Sequence, residues 1–269
     1  MRIALLIGAV VALSAQLDPL VAAEPARFTV ATYNINWGNV DLRQTTALIR
    51  KAGADLVLLQ ETNARSEAWL RQTLRDRYPH MVFRGDREKY PAERFGVLSK
   101  APINGMKFLP ARHGLFGTWL FRVRLAGGDV QVANVHLQPA YFEEGETARD
   151  AFRVLQRVEE THRKEIAAIL DALEKDVPTI VAGDFNSLSL FVAPSQLKAR
   201  GMIDSFATVE KDPDNQPSWH WPVGRGEIAL RIDYIFHSPH FKTVESQILP
   251  STASDHNPVI SRLEWVGPQ

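Results

Sequence analysis

Residues 254–265 read Ser-Asp-His-Asn-Pro-Val-Ile-Ser-Arg-Leu-Glu-Trp. From Val259 onward, Val259, Ser261, Leu263 and Trp265 alternate with Ile260, Arg262 and Glu264, the two-residue period of a β-strand. Pro258 fixes the backbone where that strand begins. Asp255 and His256 therefore sit on a loop running into a sheet edge, where rigid scaffolds carry chemistry. Alone, an Asp-His pair on a loop is more often a turn-former beside a solvated histidine. Its reading depends on whether the rest of the chain supplies partners.

Working outward, strand patterns recur. Phe28 to Asn34 alternates and is rich in β-formers, and Asp55 to Gln60 is a nearly continuous apolar run, as in a strand buried on both faces. Short strands are expected at Phe95 to Ser99, Thr118 to Leu125 and Val130 to Leu137, the last two joined by a turn at Gly127-Gly128. Others follow at Pro178 to Ala182, Ser218 to Trp221, Arg231 to Phe236 and Phe241 to Leu249. Helical spacing covers Asp41 to Ala52 (closed by Gly53), Ser66 to Arg77, Thr147 to Lys175 and Pro194 to Arg200. The Thr147 helix carries a stripe through Phe152, Leu155, Val158, His162, Ile166 and Ile169, with Thr147 and Asp150 resembling a capping box. Mixed hairpins and βα units favour one α+β domain of packed sheets over a doubly wound parallel sheet.

The chain has 269 residues, is 45% hydrophobic and 23% charged, and balances 31 basic against 31 acidic side chains. That is enough for a sizeable core. A zero net charge removes any global basic field drawing the chain to polyanions, so such binding needs a local patch. At the N-terminus Arg2, the apolar run Ile3 to Leu13 and Val21-Ala22-Ala23 have the form of an export signal, residues 1–23. The expected mature chain is a single domain, residues 24–269, secreted or periplasmic, monomeric, and with no stable membrane insertion after cleavage. The absence of cysteine excludes disulfides and thiolate nucleophiles.

Five further polar clusters lie at strand ends: Asn34, Gln60-Glu61, Asn134-Val135-His136, Gly183-Asp184-Phe185-Asn186-Ser187 and Arg231-Ile232-Asp233-Tyr234. Each has a bland reading as a turn or surface group. Those readings do not explain why every cluster falls at a strand end. The ordered set TYN (32–34), QE (60–61), NVHLQP (134–139), GDFN (183–186), RIDYIF (231–236) and SDHNP (254–258) resembles the endonuclease/exonuclease/phosphatase superfamily. The resemblance spans Phe28 to Trp265. It implies a four-layer α/β/β/α sandwich, two packed, mainly antiparallel sheets flanked by helices, and metal-dependent hydrolysis of a phosphate ester by in-line attack of an activated water.

By that resemblance Glu61 is the metal carboxylate, with Asn34 and Asp255 as direct or water-mediated ligands. Hard oxygen donors suit Mg²⁺ or Mn²⁺. No Cys or His cluster has zinc spacing. Asp184 matches the residue that orients or deprotonates water, and Asn186 the one that holds water or a phosphate oxygen. His256 matches the histidine that contacts the attacked phosphate, as base or as cationic clamp, with Asp233 as its carboxylate partner. His136 resembles the second histidine of the deoxyribonuclease branch, and Tyr90-Pro91-Ala92-Glu93-Arg94 suggests Glu93 as its partner. Glu93-Arg94 reads equally as a surface ion pair.

The substrate is less legible. Arg112, His113, Arg163, His220 and Arg225 are candidate substrate-binding residues, set among aromatics able to stack bases. The leading expectation is a nuclease-like phosphodiesterase acting on DNA or RNA. The alternative is a phospholipid- or small-molecule-directed phosphatase on the same scaffold, although no long apolar loop stands out. A non-catalytic binding or toxin-like module would need a missing ligand, and every expected position is filled.

Overall fold

The computed structural model describes residues 26–85, 90–125, 128–142, 145 and 147–267. The expected export signal and the Gly127 half of the glycine turn lie outside these residues. In chain order the strands are β1 (Arg27–Asn34), β2 (Leu56–Thr62), β3 (His80–Arg84), β4 (Arg94–Ser99), β5 (Ile103–Leu109), β6 (Thr118–Leu125), β7 (Gly128–His136), β8 (Thr179–Asp184), β9 (Ile203–Asp204), β10 (Trp219–Val223), β11 (Gly226–Leu230), β12 (Asp233–His237), β13 (Phe241–Ile248) and β14 (Val259–Trp265). The helices are α1 (Leu42–Ala52), α2 (Ala64–Leu74), α3 (Ala148–Ala172), α4 (Val192–Ala199) and α5 (Ser205–Val209).

Two six-stranded sheets form, ordered β13-β14-β1-β2-β4-β3 and β5-β6-β7-β8-β12-β9, and β10-β11 stands apart as a hairpin. Each six-stranded sheet contains one parallel pair, β1 with β2 and β7 with β8; the other pairings are antiparallel. The α+β sandwich expected from the strand patterns is therefore present. Strand alternation builds its layers. Phe28 and Val30 of β1 and Leu56 and Leu58 of β2 face Val130, Val132, Ile180 and Ala182 across the inter-sheet core. The intervening Ala31, Tyr33, Val57 and Leu59 turn outward onto α1 and α2. Ala133, Val135 and Val181 turn outward onto α3 and α4. Each such fully buried Val or Leu contributes about 1.5–3 kcal/mol. Because both faces of β2 are buried, its sequence is a continuous apolar run.

Local chemistry fixes the helix ends. The Asp41 carboxylate accepts the Gln44 N–H at 2.9 Å, and Gly53 closes α1 in the left-handed region. Asn63 and Ser66 cap α2 reciprocally. Thr147 accepts the Asp150 N–H at the start of α3. Three features of sequence patterning did not carry through. Phe152, on the expected apolar stripe of α3, is 59% exposed in the helix's first turns. The edge strands β3 and β5 show only partial burial, which left them unmarked by alternation. Trp219 and Trp221, two residues apart and so on one face of their strand, stack on each other on the β10-β11 hairpin rather than entering a core, and Trp221 is 51% exposed. Among the described residues no helix is long and apolar enough to cross a membrane.

Gly183 is obligatory in β8. Its φ is +150°, and a Cβ there would stand 1.9 Å from the Val135 carbonyl oxygen of the parallel neighbour. Neither the backbone strain nor the backbone clash can be relieved by a rotamer change. Gly183→Ala is expected to cost about 3 kcal/mol or more, a fall in Tm of about 6–12 °C by thermal melting. An unchanged Tm would contradict the packing of β7 on β8.

Candidate functional site

The inner faces of the strands turn polar at one end of the sandwich. The period that places Phe28 and Val30 in the core places Asn34 on the same face; Val130 and Val132 lead to Asn134 and His136; Ile180 and Ala182 lead to Asp184. Register aligns them: His136 pairs with Asp184, and Asp184 with Asp233, across three adjacent strands. A polar seam closes the apolar core beneath. The Gln60 amide donates to Asn134 Oδ1 at 2.7 Å, and Asn134 Nδ2 reaches the carbonyls of Leu59 and Gly96. These buried amides are fully engaged, so they fix the offset of the two sheets where the site begins.

Glu61 is turned into the site by a departure from regular strand geometry. The β2-β4 register shifts between Leu59 and Thr62, and Glu61 has φ +57°. A non-glycine residue in that region costs of order 1–3 kcal/mol, held here by surrounding contacts. Asn34 Nδ2 donates at 3.0 Å both to Glu61 Oε1 and to Asp184 Oδ2, bridging the sheets. The Trp37 N–H donates to the other oxygen of Glu61 at 3.2 Å. Asp255 is held by Asn36 Nδ2 at 2.8 Å and by the Trp219 indole N–H at 3.2 Å. Ser254 anchors this loop by donating to the Asn34 carbonyl at 2.9 Å.

His256 stands between two carboxylates. Its Nδ1 lies 2.9 Å from Asp233 Oδ2 and its Nε2 lies 3.7 Å from Asp184 Oδ2. Burial opposes charge on this ring, but Asp233 and then Asp184 outweigh it and carry its pKa up to about 10. Asp233 is itself fixed by Ser218, whose hydroxyl donates to its Oδ2 at 2.7 Å and accepts the N–H groups of Ile232 and Asp233. His136 behaves oppositely. It lies 3.5 Å from Asp184 and 3.8 Å from Glu61, stacked on Phe116, and burial, reinforced by the His256 charge, holds it down to about 3. One imidazole is cationic and the other neutral. Burial pushes the Asp184 carboxyl up, reinforced by Asp233 and opposed by His256 and by the hydrogen bonds of Asn34 and Asn186.

Burial also pushes Glu61 up, against the hydrogen bond from Asn34. Buried carboxylates raised in this way mark a site short of positive charge. Asp184, Asp233 and His256 place one ligand atom each within 4.8 Å of one another, and Asp233 Oδ1 is buried without a hydrogen-bond partner. With Glu61 and Asp255 opposite, the metal-binding donors are hard carboxylate oxygens, because His256 as an imidazolium offers no lone pair. This chemistry fits a divalent cation. The tight cluster differs from the expected set of Asn34, Glu61 and Asp255, and the Asn34 amide links the two.

The remaining candidates are spread more widely. Asn186, at φ +48°, donates Nδ2 to the Leu137 carbonyl at 3.1 Å and its N–H to Asp184 Oδ1 at 2.9 Å. Glu93 is buried and accepts the Tyr90 N–H, while Arg94 pairs with Glu67 at 2.6 Å. Arg112 and His113 line a groove of about 600 Å³ between the β5-β6 loop and α3. Arg163 pairs with Glu160 on the solvent face of α3. His220 bridges Glu227 and Asn257 at 2.6 and 2.9 Å, and Arg225 occupies the exposed tip of the hairpin. Sequence reasoning missed Asn36, Ser218 and the Trp219 indole. Only Asn36 left a signal, a second Asn directly after a strand, a residue tolerant of the left-handed region.

A family model described as "Endonuclease/Exonuclease/phosphatase family" matches residues 31–256. No curated protein matches the chain. Among solved structures, the endonuclease/exonuclease/phosphatase from Beutenbergia cavernae DSM 12333 superposes with a TM-score of 0.73 at 24% identity, covering 90% of this chain and 72% of that one. TDP2 from C. elegans gives 0.68 at 14% identity over 88% and 75%. D. rerio TDP2, complexed with single strand DNA product, gives 0.67 at 15% over 89% and 99%. At these identities the likeness is one of fold.

The His256–Asp233 pair sets a pH dependence. The folded-state pKa of His256 lies above its ordinary 6.5, so the pair stabilises the fold fully below about pH 6.5 and loses that contribution as pH rises through about 10. Asp233→Asn should lower the His256 pKa by at least about 1–3 units, read from the imidazole carbon chemical shift against pH. An unchanged titration would show that Asp233 does not hold the charge.

Proposed function

The chain belongs to the endonuclease/exonuclease/phosphatase family, and from that premise we propose that it is a Mg²⁺- or Mn²⁺-dependent phosphodiesterase of nuclease type. The observation that carries the reading is a cationic His256 fixed between Asp233 and Asp184, facing the Glu61–Asp255 acids, with a neutral His136 alongside. Glu61 and Asp255, with Asn34, would hold a divalent cation, which would supply charge neutralisation for phosphate oxygens. The residues of the chain do the rest. The His256 imidazolium binds a non-bridging oxygen, and its Asp233 contact keeps Nε2–H directed at the phosphate. Asp184, whose carboxyl burial has pushed up toward neutrality, takes a proton from the attacking water. Asn186 orients that water through its position beside Asp184. His136 stays uncharged and donates no net charge to the ground state.

The exposed rings around this site suit a substrate with planar groups. Tyr141 is 63% exposed, and the charges of Glu61 and Asp184, after burial, push its phenol up. Trp37 is exposed beside Glu61. Trp221 stacks on Trp219, whose indole binds Asp255. Bases stack on such rings at about 1–3 kcal/mol each, without sequence preference, which supports DNA or RNA as the diester. A second reading is a phospholipid diester, favoured by Trp221, Val223 and Ile228 exposed on the β10-β11 hairpin. Under either reading the protein acts as an exported monomer, its first 23 residues removed.

The mature protein with Mg²⁺ should hydrolyse bis-nitrophenyl phosphate and cut single-stranded DNA, and EDTA should abolish both. Asp184→Ala or His256→Ala should lower kcat by about 10²–10⁴ with the fold retained. Preference for the monoester would overturn the diesterase reading. Cleavage of phosphatidyl or sphingomyelin vesicles with DNA left intact would favour the second substrate. Full activity in Asp184→Ala would sink the mechanism.

A further inference from the structure

Beneath the site, α3 turns Glu159, His162 and Glu165 toward the loops that carry the chemistry, their spacing of three placing them along one face. Glu165 is only 8% exposed. Its Oε2 accepts the Gln138 backbone N–H at 3.2 Å, and its Oε1 is buried with no hydrogen-bond partner. That oxygen abuts Gly114, where a Cβ would stand 2.0 Å from it. His162 Nε2 lies 2.7 Å from the Gln138 carbonyl oxygen. The Gln138 side chain, in turn, accepts the Leu115 N–H at 3.0 Å. Two three-residue segments are thus pinned to each other and to α3.

Both segments end on the site. In the first, Gly114 meets Glu165, Leu115 meets Gln138, and Phe116 lies flat on the His136 ring, with centroids 3.9 Å apart and planes 15° apart. In the second, His136 faces Asp184, the Leu137 carbonyl accepts Asn186 Nδ2, and Gln138 is clamped by Glu165 and His162. A leucine at 165 would fill space but offer no acceptor to the Gln138 N–H. A side chain at 114 would drive Glu165 off it. We propose that Glu165 and Gly114, acting through Gln138, are positioning residues that seat Phe116 on His136 and hold that imidazole toward Glu61 and Asp184. Burial pushes the Glu165 carboxyl up to about 8, so near neutral pH the acid carries its proton and no bare charge is buried. The acceptor, not the charge, is what the site uses.

The proposal rests on the phosphodiesterase reading only for its kinetic arm; the structural arm needs no substrate. The test compares Glu165→Gln, Glu165→Leu and Gly114→Ala in the full mature chain. The His136 ring resonances, assigned by their loss in His136→Gln, report the Phe116 ring current. Kinetics on bis-nitrophenyl phosphate with Mg²⁺ report function. Glu165→Gln should leave both near wild type. Glu165→Leu and Gly114→Ala should shift the His136 signals and lower kcat about 10- to 100-fold, with KM changed by less than about twofold. Should Glu165→Leu not fold, Gln138→Leu leaves Glu165 in place, removes the Leu115 acceptor together with the local bond to the Pro139 carbonyl, and carries the same expectation. Unmoved His136 signals in the folded variants would overturn the proposal, whatever the activity. Moved signals in an enzyme with no diesterase activity would leave the positioning intact and refute the functional reading instead.

Discussion

Carboxylates taken out of water must be hydrogen-bonded, paired or neutralised, and this structure brings four of them to one end of an apolar core. Asp184 and Asp233 are buried, Glu61 and Asp255 nearly so. The surrounding architecture answers that electrostatic demand. Asn34 donates one amide to two carboxylates from different sheets. His256 sits as a cation between Asp233 and Asp184. Ser218 donates to Asp233 Oδ2 and the Trp219 indole to Asp255, while Asp233 Oδ1 stays without a partner. What remains is a deficit of positive charge, visible in the upward push on Glu61 and Asp184. The divalent cation proposed for this site would close it.

The sandwich makes this convergence inexpensive in backbone terms. Strands already alternating between two buried faces need only change residue type at their last inner position to present polar groups together. Asn34, Gln60, His136 and Asp184 are such positions, and Asn134, one inner position earlier on β7, seals the seam beneath them with Gln60. Exceptions to regular geometry concentrate at the same end. Glu61, Asn36 and Asn186 all have positive φ, and each places a side chain that regular strand or loop geometry would have pointed elsewhere.

Much of this was legible in the sequence because the period of two is strict there. The buried run of β2, the inner-face endings of β1, β7 and β8, and the Asp255-His256 loop feeding β14 all follow from patterning. Other parts were not legible, for separate physical reasons. The bulge that turns Glu61 inward is a register shift, which leaves no compositional mark. β11 buries none of its residues fully, so its sequence carries no core pattern and the hairpin it forms was unseen. Ser218 acts through three short contacts formed only after the β10-β11 hairpin has folded back and brought Ile232 and Asp233 to it. On α3, His162 lay on the apolar stripe in the sequence, and it is buried and hydrogen-bonded to the Gln138 carbonyl. The Glu165 contact below Gly114 depended on a loop whose path the sequence does not mark.

The most direct test of the charge deficit is a thermal melt with and without Mg²⁺ or Mn²⁺, on wild type and on Glu61→Gln. Binding to the folded state alone stabilises by about 2.7 kcal/mol at a hundredfold excess over Kd, several degrees in Tm for a chain of this size. The account predicts a cation-dependent rise in wild type. It predicts that Glu61→Gln, with one acid fewer, melts at or above the cation-free wild type and no longer responds to the cation. A wild-type Tm indifferent to millimolar Mg²⁺ and Mn²⁺ would contradict it.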